Sequence, residues 1–288
     1  MAEAICRARC VAGGVSLRRI RAHRSERPAN ASSADDRIGH DASMTTANET
    51  LTAIAGPTGD IGASFYFHPD TVAAGKELGL DGFRWYVFGR AGVLGDVPAP
   101  VVVAAFGYFH PALIDKMWST SKERCSLGPL AAGQAYFDEC GKRGSAAFGD
   151  VDGLDAYCEA ADVVIEAASR AGLPLFAGIA ELTCSDDTAG RAMQKAAVLR
   201  ELRGSAHLCA VLASGLTDAQ AHVIKRPGDV ETFGYAEVPA VPDDGDARMA
   251  EAEQMTDRIL EPAFSPLTAE QSAALVAGTE AMAAALTR

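Results

Sequence analysis

The chain of 288 residues is 48% hydrophobic, carries a formal charge of −12 and has a pI near 4.9. It is long enough for one large domain or two ordinary ones with well-buried cores. So acidic a chain is repelled by nucleic-acid phosphates unless its cations gather on one face. It also lacks any uninterrupted apolar run of about eighteen residues that could cross a membrane.

Residues 1–43 hold eight Arg against five acids, a balance of +3, which leaves 18 Lys and Arg against 33 Asp and Glu, or −15, for the rest. This Arg-, Ser- and Ala-rich stretch has no apolar h-region and is no secretory signal. Its composition predicts a disordered basic leader or a stretch that is never translated, with Met44 as the expected true start. From about Asn48 the chain reads mostly as helix. One helix is predicted over 70–80, ended by Gly79 and Gly82. The apolar run 101–109 fits a strand or a buried helix, because so short a run does not separate the two periods. Amphipathic spacing predicts helices over 112–119, 127–143 and 154–172, the last closed by Gly172 and Pro174. A long helix follows from about Asp187 to Ser214. A Pro- and Asp-rich loop over 238–246 then leads to two closing helices near 246–260 and 268–286. The fold class is mainly α, with a helical domain over 44–237 and a C-terminal helix pair over 246–288.

Seven cysteines are an odd count and none forms a C-x-x-C pair. Cys125, Cys140, Cys158, Cys184 and Cys209 lie within or beside helical text. That pattern fits free thiols in a reducing cytoplasm better than a disulfide framework or a zinc site.

Four stretches could carry chemistry. The tetrapeptide Tyr-Phe-His-Pro occurs twice, at 66–69 and 108–111, and takes in two of the six histidines. Proline suits the first helical position, where an N–H would be unsatisfied anyway. Each copy can therefore start a helix, with His68 or His110 at the cap and the Tyr-Phe pair in the core. The same imidazoles could instead be metal or haem ligands, or acid–base groups in one pocket. His110 is the better placed of the two to serve a site.

The second stretch, GPTGDIG at 56–62, has the glycine spacing of a loop that holds an NADP pyrophosphate. Its surroundings do not match that use. Pro69 interrupts what should be a long helix, and no second strand with a charged end follows. A turn ahead of a helix is the plainer expectation, with NADP binding as the alternative. In the third stretch, Arg90 lies among Trp85, Phe88, Val93 and Leu94. An unpaired buried charge is costly, so Arg90 should reach a ligand's anion or enter an ion pair, with Asp96 as the candidate partner.

The fourth stretch, VLRELRGSAHLCAVL at 198–212, is the most informative. At about 100° per residue, Arg200, Arg203 and His207 fall within about 60° of one another on one helix face. Val198, Leu202 and Cys209 project the other way, and Glu201 stands between. Two guanidiniums and an imidazole in line suit a carboxylate or phosphate. The same stripe could also be a solvated basic face that offsets neighbouring acids.

Taken together, GFRWYVFGRAGVLGDVPAPVV (82–102), FGYFHPALI (106–114) and VLRELRGSAHLCAVL (198–212) resemble an actinobacterial family of helix-turn-helix-like proteins. That family is related to winged-helix regulators of the MarR type, and the resemblance covers roughly 64–257. It implies functional weight for Arg90, His110, Arg200, Glu201, Arg203 and His207. It also implies a winged-helix, MarR-like C-terminal portion, in which 260–286 is similar to the closing helices of dimers. The chain departs from the pattern where a DNA-contacting wing would want cations. Residues 151–288 hold 10 basic against 22 acidic groups, and phosphate contacts need cations.

The combined expectation is a regulator-like, cytoplasmic homodimer. It would bind a small anionic molecule through Arg90, Arg200, Arg203 and His110, with DNA disfavoured by charge and no membrane contact. The alternative is an enzyme in the same pocket. There His207 and Glu201 would be the acid–base pair, His68 and His110 metal or haem ligands, and residues 56–62 an NADP loop.

Overall fold

The structure, a computed structural model, describes residues 34–287, and among them the regular elements are helices, with no strand. Residues 1–33 of the expected leader lie outside the described residues. The first helix, α1 (Ala34–Ala63), begins inside the stretch read as leader. It is followed by α2 (Pro69–Glu77), α3 (Gly82–Gly92), α4 (Ala99–Phe106), α5 (Pro111–Arg124), α6 (Pro129–Phe148), α7 (Leu154–Ala167) and α8 (Pro174–Ile179). The chain closes with α9 (Thr188–Ala213), α10 (Asp218–Lys225), α11 (Gly245–Phe264) and α12 (Ala269–Leu286).

The axis of the fold is α9. Asp187 caps it by accepting from the Gly190 N–H at 2.8 Å. Gly215 takes the left-handed backbone (φ +79) just beyond its end. Ala192, Met193, Ala196, Val198, Leu199, Leu202 and Ala206 are all buried. These buried residues put most of the helix in the core, and α1, α6, α7, α8 and α11 pack on it.

Small residues let the backbones meet. A Cβ on Gly62 would stand 2.9 Å from the Ala196 carbonyl oxygen and the Ala197 Cα. This changes the reading of GPTGDIG: the stretch is the last part of α1, with Pro57 inside the helix, and neither a turn nor a phosphate loop. A pyrophosphate loop needs free N–H groups between a strand and a helix, whereas this segment is helical throughout and Gly62 serves close packing. The ambiguous run after Pro98 resolves as the helix α4.

The closing helices do not form a separate unit. Leu260, Ala263 and Phe264 of α11 and Leu275 and Met282 of α12 join the same buried cluster as α1 and α9. Residues 227–244, where a wing would lie, run as turns and irregular chain between α10 and α11. The five cysteines in the described part are free. Among the described residues no helix is long and apolar enough to cross a membrane.

Replacing Gly62 with Val should push α1 off α9 and lower stability by about 1–3 kcal/mol, the usual cost of overpacking. The midpoint of urea unfolding checks this, and an unchanged midpoint would contradict the close approach of the two helices.

Candidate functional site

Both Tyr-Phe-His-Pro copies start helices. His68 and His110 are the N-caps of α2 and α5, each followed by its proline. Their Nδ1 atoms accept from the Asp70 N–H at 3.4 Å and the Ala112 N–H at 3.2 Å. The two rings therefore serve separate helix starts. Among the described residues, no group of three or more His, Cys, Asp or Glu is arranged to hold a metal.

The two copies differ in what they deliver. In the first, Tyr66 is buried and Phe67 is 56% exposed. In the second, Gly107 and Tyr108 both adopt φ +54, and Phe109 turns inward. A non-glycine residue at positive φ is costly and persists only where its surroundings hold it. His110 also tethers the following loop. Its N–H donates to the Phe233 carbonyl at 2.8 Å and its ring meets Tyr235 edge-on.

The first polar group centres on Glu201, which is buried on α9. Arg90 of α3 grips it bidentately, Nε to Oε1 at 2.8 Å and Nη2 to Oε2 at 2.9 Å. The third arm of Arg90, Nη1, donates to the Tyr86 hydroxyl at 3.0 Å, and its plane lies 4.5 Å from the Phe106 ring centre. Arg200 Nη1 and the Tyr66 hydroxyl each donate to Glu201 Oε1 at 3.0 Å. The expected partner of Arg90, Asp96, pairs with Lys122 instead, because Arg90 points inward from α3 toward α9. Burial alone would raise the Glu201 pKa. The charge and hydrogen bonds of Arg90, with Arg200 and Tyr66, overcome that and hold it at about 2. Glu201 is thus a fixed carboxylate that accepts four hydrogen bonds. It acts as a counter-ion here and is poorly suited to proton transfer.

The second group lies one turn further along α9. Arg203 Nη2 donates to Glu253 Oε2 of α11 at 2.7 Å, and Lys225 of α10 reaches Glu253 Oε1 at 2.6 Å. His207 Nδ1 stands 2.9 Å from the Thr256 hydroxyl. That hydroxyl gives its single proton to the Ala252 carbonyl at 2.7 Å. Nδ1 must therefore be the donor, and the neutral ring keeps a lone pair on Nε2. Burial lowers the His207 pKa. Glu253 pulls it up, while Arg203 and Lys225 press it further down, so the ring is neutral near pH 7.

A cavity of about 730 Å³ joins the two groups. Its wall carries Arg90, Arg200, Arg203, Lys225 and Arg226 against only Asp229 and Glu253 as acids. Between the charges lie Tyr66, Tyr86, Phe106, Tyr108, Phe109 and Phe233. The Arg/His stripe of α9 therefore faces the cavity and is no solvated face; the His207 side chain is only 14% exposed. Arg90, Arg200, Arg203 and His207 come together as the sequence suggested, while His68 and His110 stay off the wall. Sequence reasoning missed Tyr66, Tyr86, Tyr108, His222, Lys225 and Glu253. The tyrosines of the repeated tetrapeptide were the one local signal available. The others come from α3, α10 and α11, whose positions depend on the fold.

Replacing Glu201 with Gln leaves two guanidiniums without their counter-charge and should cost about 3–5 kcal/mol at neutral pH. The folded-state pKa lies below the ordinary 4.5, so the carboxylate's contribution is complete above that pH and is lost as pH falls toward 2. Urea unfolding across this range should show the gap between variant and parent closing. A gap still open at pH 2 would contradict the assignment.

Comparison with known proteins adds the family. The profile of a helix-turn-helix family matches residues 52–238, more than half of the chain, and takes in both Tyr-Phe-His-Pro copies, Arg90 and all of α9. No curated protein and no solved structure matches the chain. The protein belongs to the helix-turn-helix family.

Proposed function

We propose that this protein is a regulator-like member of its family that binds a small, largely apolar anion in the central cavity. One observation carries this reading. In a chain of net charge −12, the cavity wall gathers five cations against two acids. Adding Glu201 behind the wall still leaves a surplus, 5 − 3 = +2. The volume of 730 Å³ falls within the range of about 300–1,000 Å³ usual for small-molecule sites. The aromatic walls suit an apolar body. Arg90 is committed to Glu201 and Tyr86, and Arg200 Nη1 to Glu201 and Tyr66, so Arg203, which keeps an unpaired N–H, is the residue left to meet an anion. His110 serves the site indirectly, through the loop that carries Phe233.

The same proposal relates the chain to MarR-type regulators as a scaffold without a basic wing. Residues 227–244 hold five acids and no Lys or Arg, whereas phosphate contacts need cations. DNA is accordingly the disfavoured partner and the small anion the favoured one. The free thiols agree with a cytoplasmic setting. A homodimer would have to use a face other than that of Leu275 and Met282, which α12 buries in its own chain. An enzyme using His207 as a base is the second reading, favoured by the lone pair on its Nε2. Glu201 is a poor partner for it, since its oxygens are occupied.

Thermal unfolding with a panel of aromatic and medium-chain carboxylates, each paired with the neutral alcohol of the same skeleton, tests the proposal. The acids should raise the midpoint and the alcohols should not; at a hundred times Kd the gain is about 2.7 kcal/mol. The double variant Arg200→Ala/Arg203→Ala should remain folded and lose the response. Equal responses to acids and alcohols, or unfolding of the double variant, would sink the assignment.

A further inference from the structure

Four buried polar atoms on residues of the cavity wall have no partner: Thr58 Oγ1, Tyr108 Oη, Arg203 Nε and His222 Nε2. Buried polar atoms are nearly always paired, so the three that lie outside α1 point to a missing group. Those three come from the α4–α5 turn, α9 and α10. Tyr108 packs against the small cluster that holds Ala210, Ala221 and Met249, so it stands where α9, α10 and α11 meet. Glu253 ties Arg203 to Lys225 at the same junction. His222 lies one turn before Lys225 and stacks on Phe233 at 3.8 Å. The other polar end of the cavity, around Glu201, is closed on itself.

Resting on the anion-binding reading above, we propose that the ligand is a hydroxylated carboxylic acid with an apolar body. Its head lies at the α9–α10–α11 end of the cavity. The carboxylate accepts from the Tyr108 hydroxyl and from Arg203 Nε–H. The hydroxyl beside it donates to the lone pair on His207 Nε2, the acceptor that the Thr256 contact leaves open. His222 Nε2 offers a further polar partner on the same wall. The apolar body runs toward Phe106 and Tyr86. Arg200 is a spectator, since its Nη1 already serves Tyr66 and Glu201.

Isothermal titration with decanoate and 2-hydroxydecanoate, against the full chain and four single variants, tests this. Arg203→Gln should weaken binding of both acids by about ten- to a hundred-fold, the range for a hydrogen bond to a charged group. Tyr108→Phe should weaken it by about three- to ten-fold and, as a conservative change, carries the test even where Arg203→Gln fails to fold. Arg200→Gln should change it by less than about three-fold. The hydroxylated acid should bind about ten-fold more tightly than the plain one, a preference that His207→Leu removes. Loss of binding in Arg200→Gln with Arg203→Gln and Tyr108→Phe unaffected would overturn this placement while leaving the anion cavity intact. Equal affinity for the two acids would overturn the hydroxyl contact. Failure of both acids to bind the unaltered protein would remove the anion-binding reading as well.

Discussion

The buried pairing of Glu201 with Arg90 is the contact on which the rest of the site depends. A carboxylate buried as deeply as that of Glu201 cannot stand alone, because desolvation would cost several kcal/mol. Arg90 answers from α3 with a bidentate grip, and Tyr66 and Arg200 complete the shell. Such a pair is weak evidence for stability as such. Its consequence is geometric: it fixes the rotation of α9 against α3 and places Arg203 and His207, two and six residues on, along the cavity wall.

The arrangement also separates two kinds of cation. Arg90 lies wholly within a neutralised, aromatic-walled knot, under Phe106 and Tyr86. Arg203 shares its counter-ion with Lys225 and keeps a buried N–H unpaired. A cavity whose cations outnumber its acids, inside a chain of opposite overall charge, concentrates positive potential where water is scarce and interactions are strong. The surrounding tyrosines add hydroxyls without adding charge.

Much of this was legible in the sequence where the governing physics is local. The long helix read over about Asp187 to Ser214 is α9 (Thr188–Ala213). The helix starts at His68 and His110 followed from the prolines, and the Arg200–Arg203–His207 stripe from the helical period. What failed was whatever depends on distant chain. Arg90 and Glu201 are separated by 111 residues, so no spacing rule could join them. Asp96 looked suitable only because it is near in sequence. The glycines of residues 56–62 imitate a phosphate loop, yet Gly62 is there to let α1 touch α9. The identical tetrapeptides diverge because Gly107 and Tyr108 take a positive-φ turn that the first copy lacks, so that Phe67 is exposed while Phe109 turns inward.

The most direct measurement is a crystal structure of the protein in complex with 2-hydroxydecanoate. The account predicts the carboxylate within about 3 Å of Arg203 Nε and the Tyr108 hydroxyl, with the Arg90–Glu201 pair unbroken. A ligand seated on Arg90 with Glu201 displaced, or a cavity empty at saturating ligand, would contradict it.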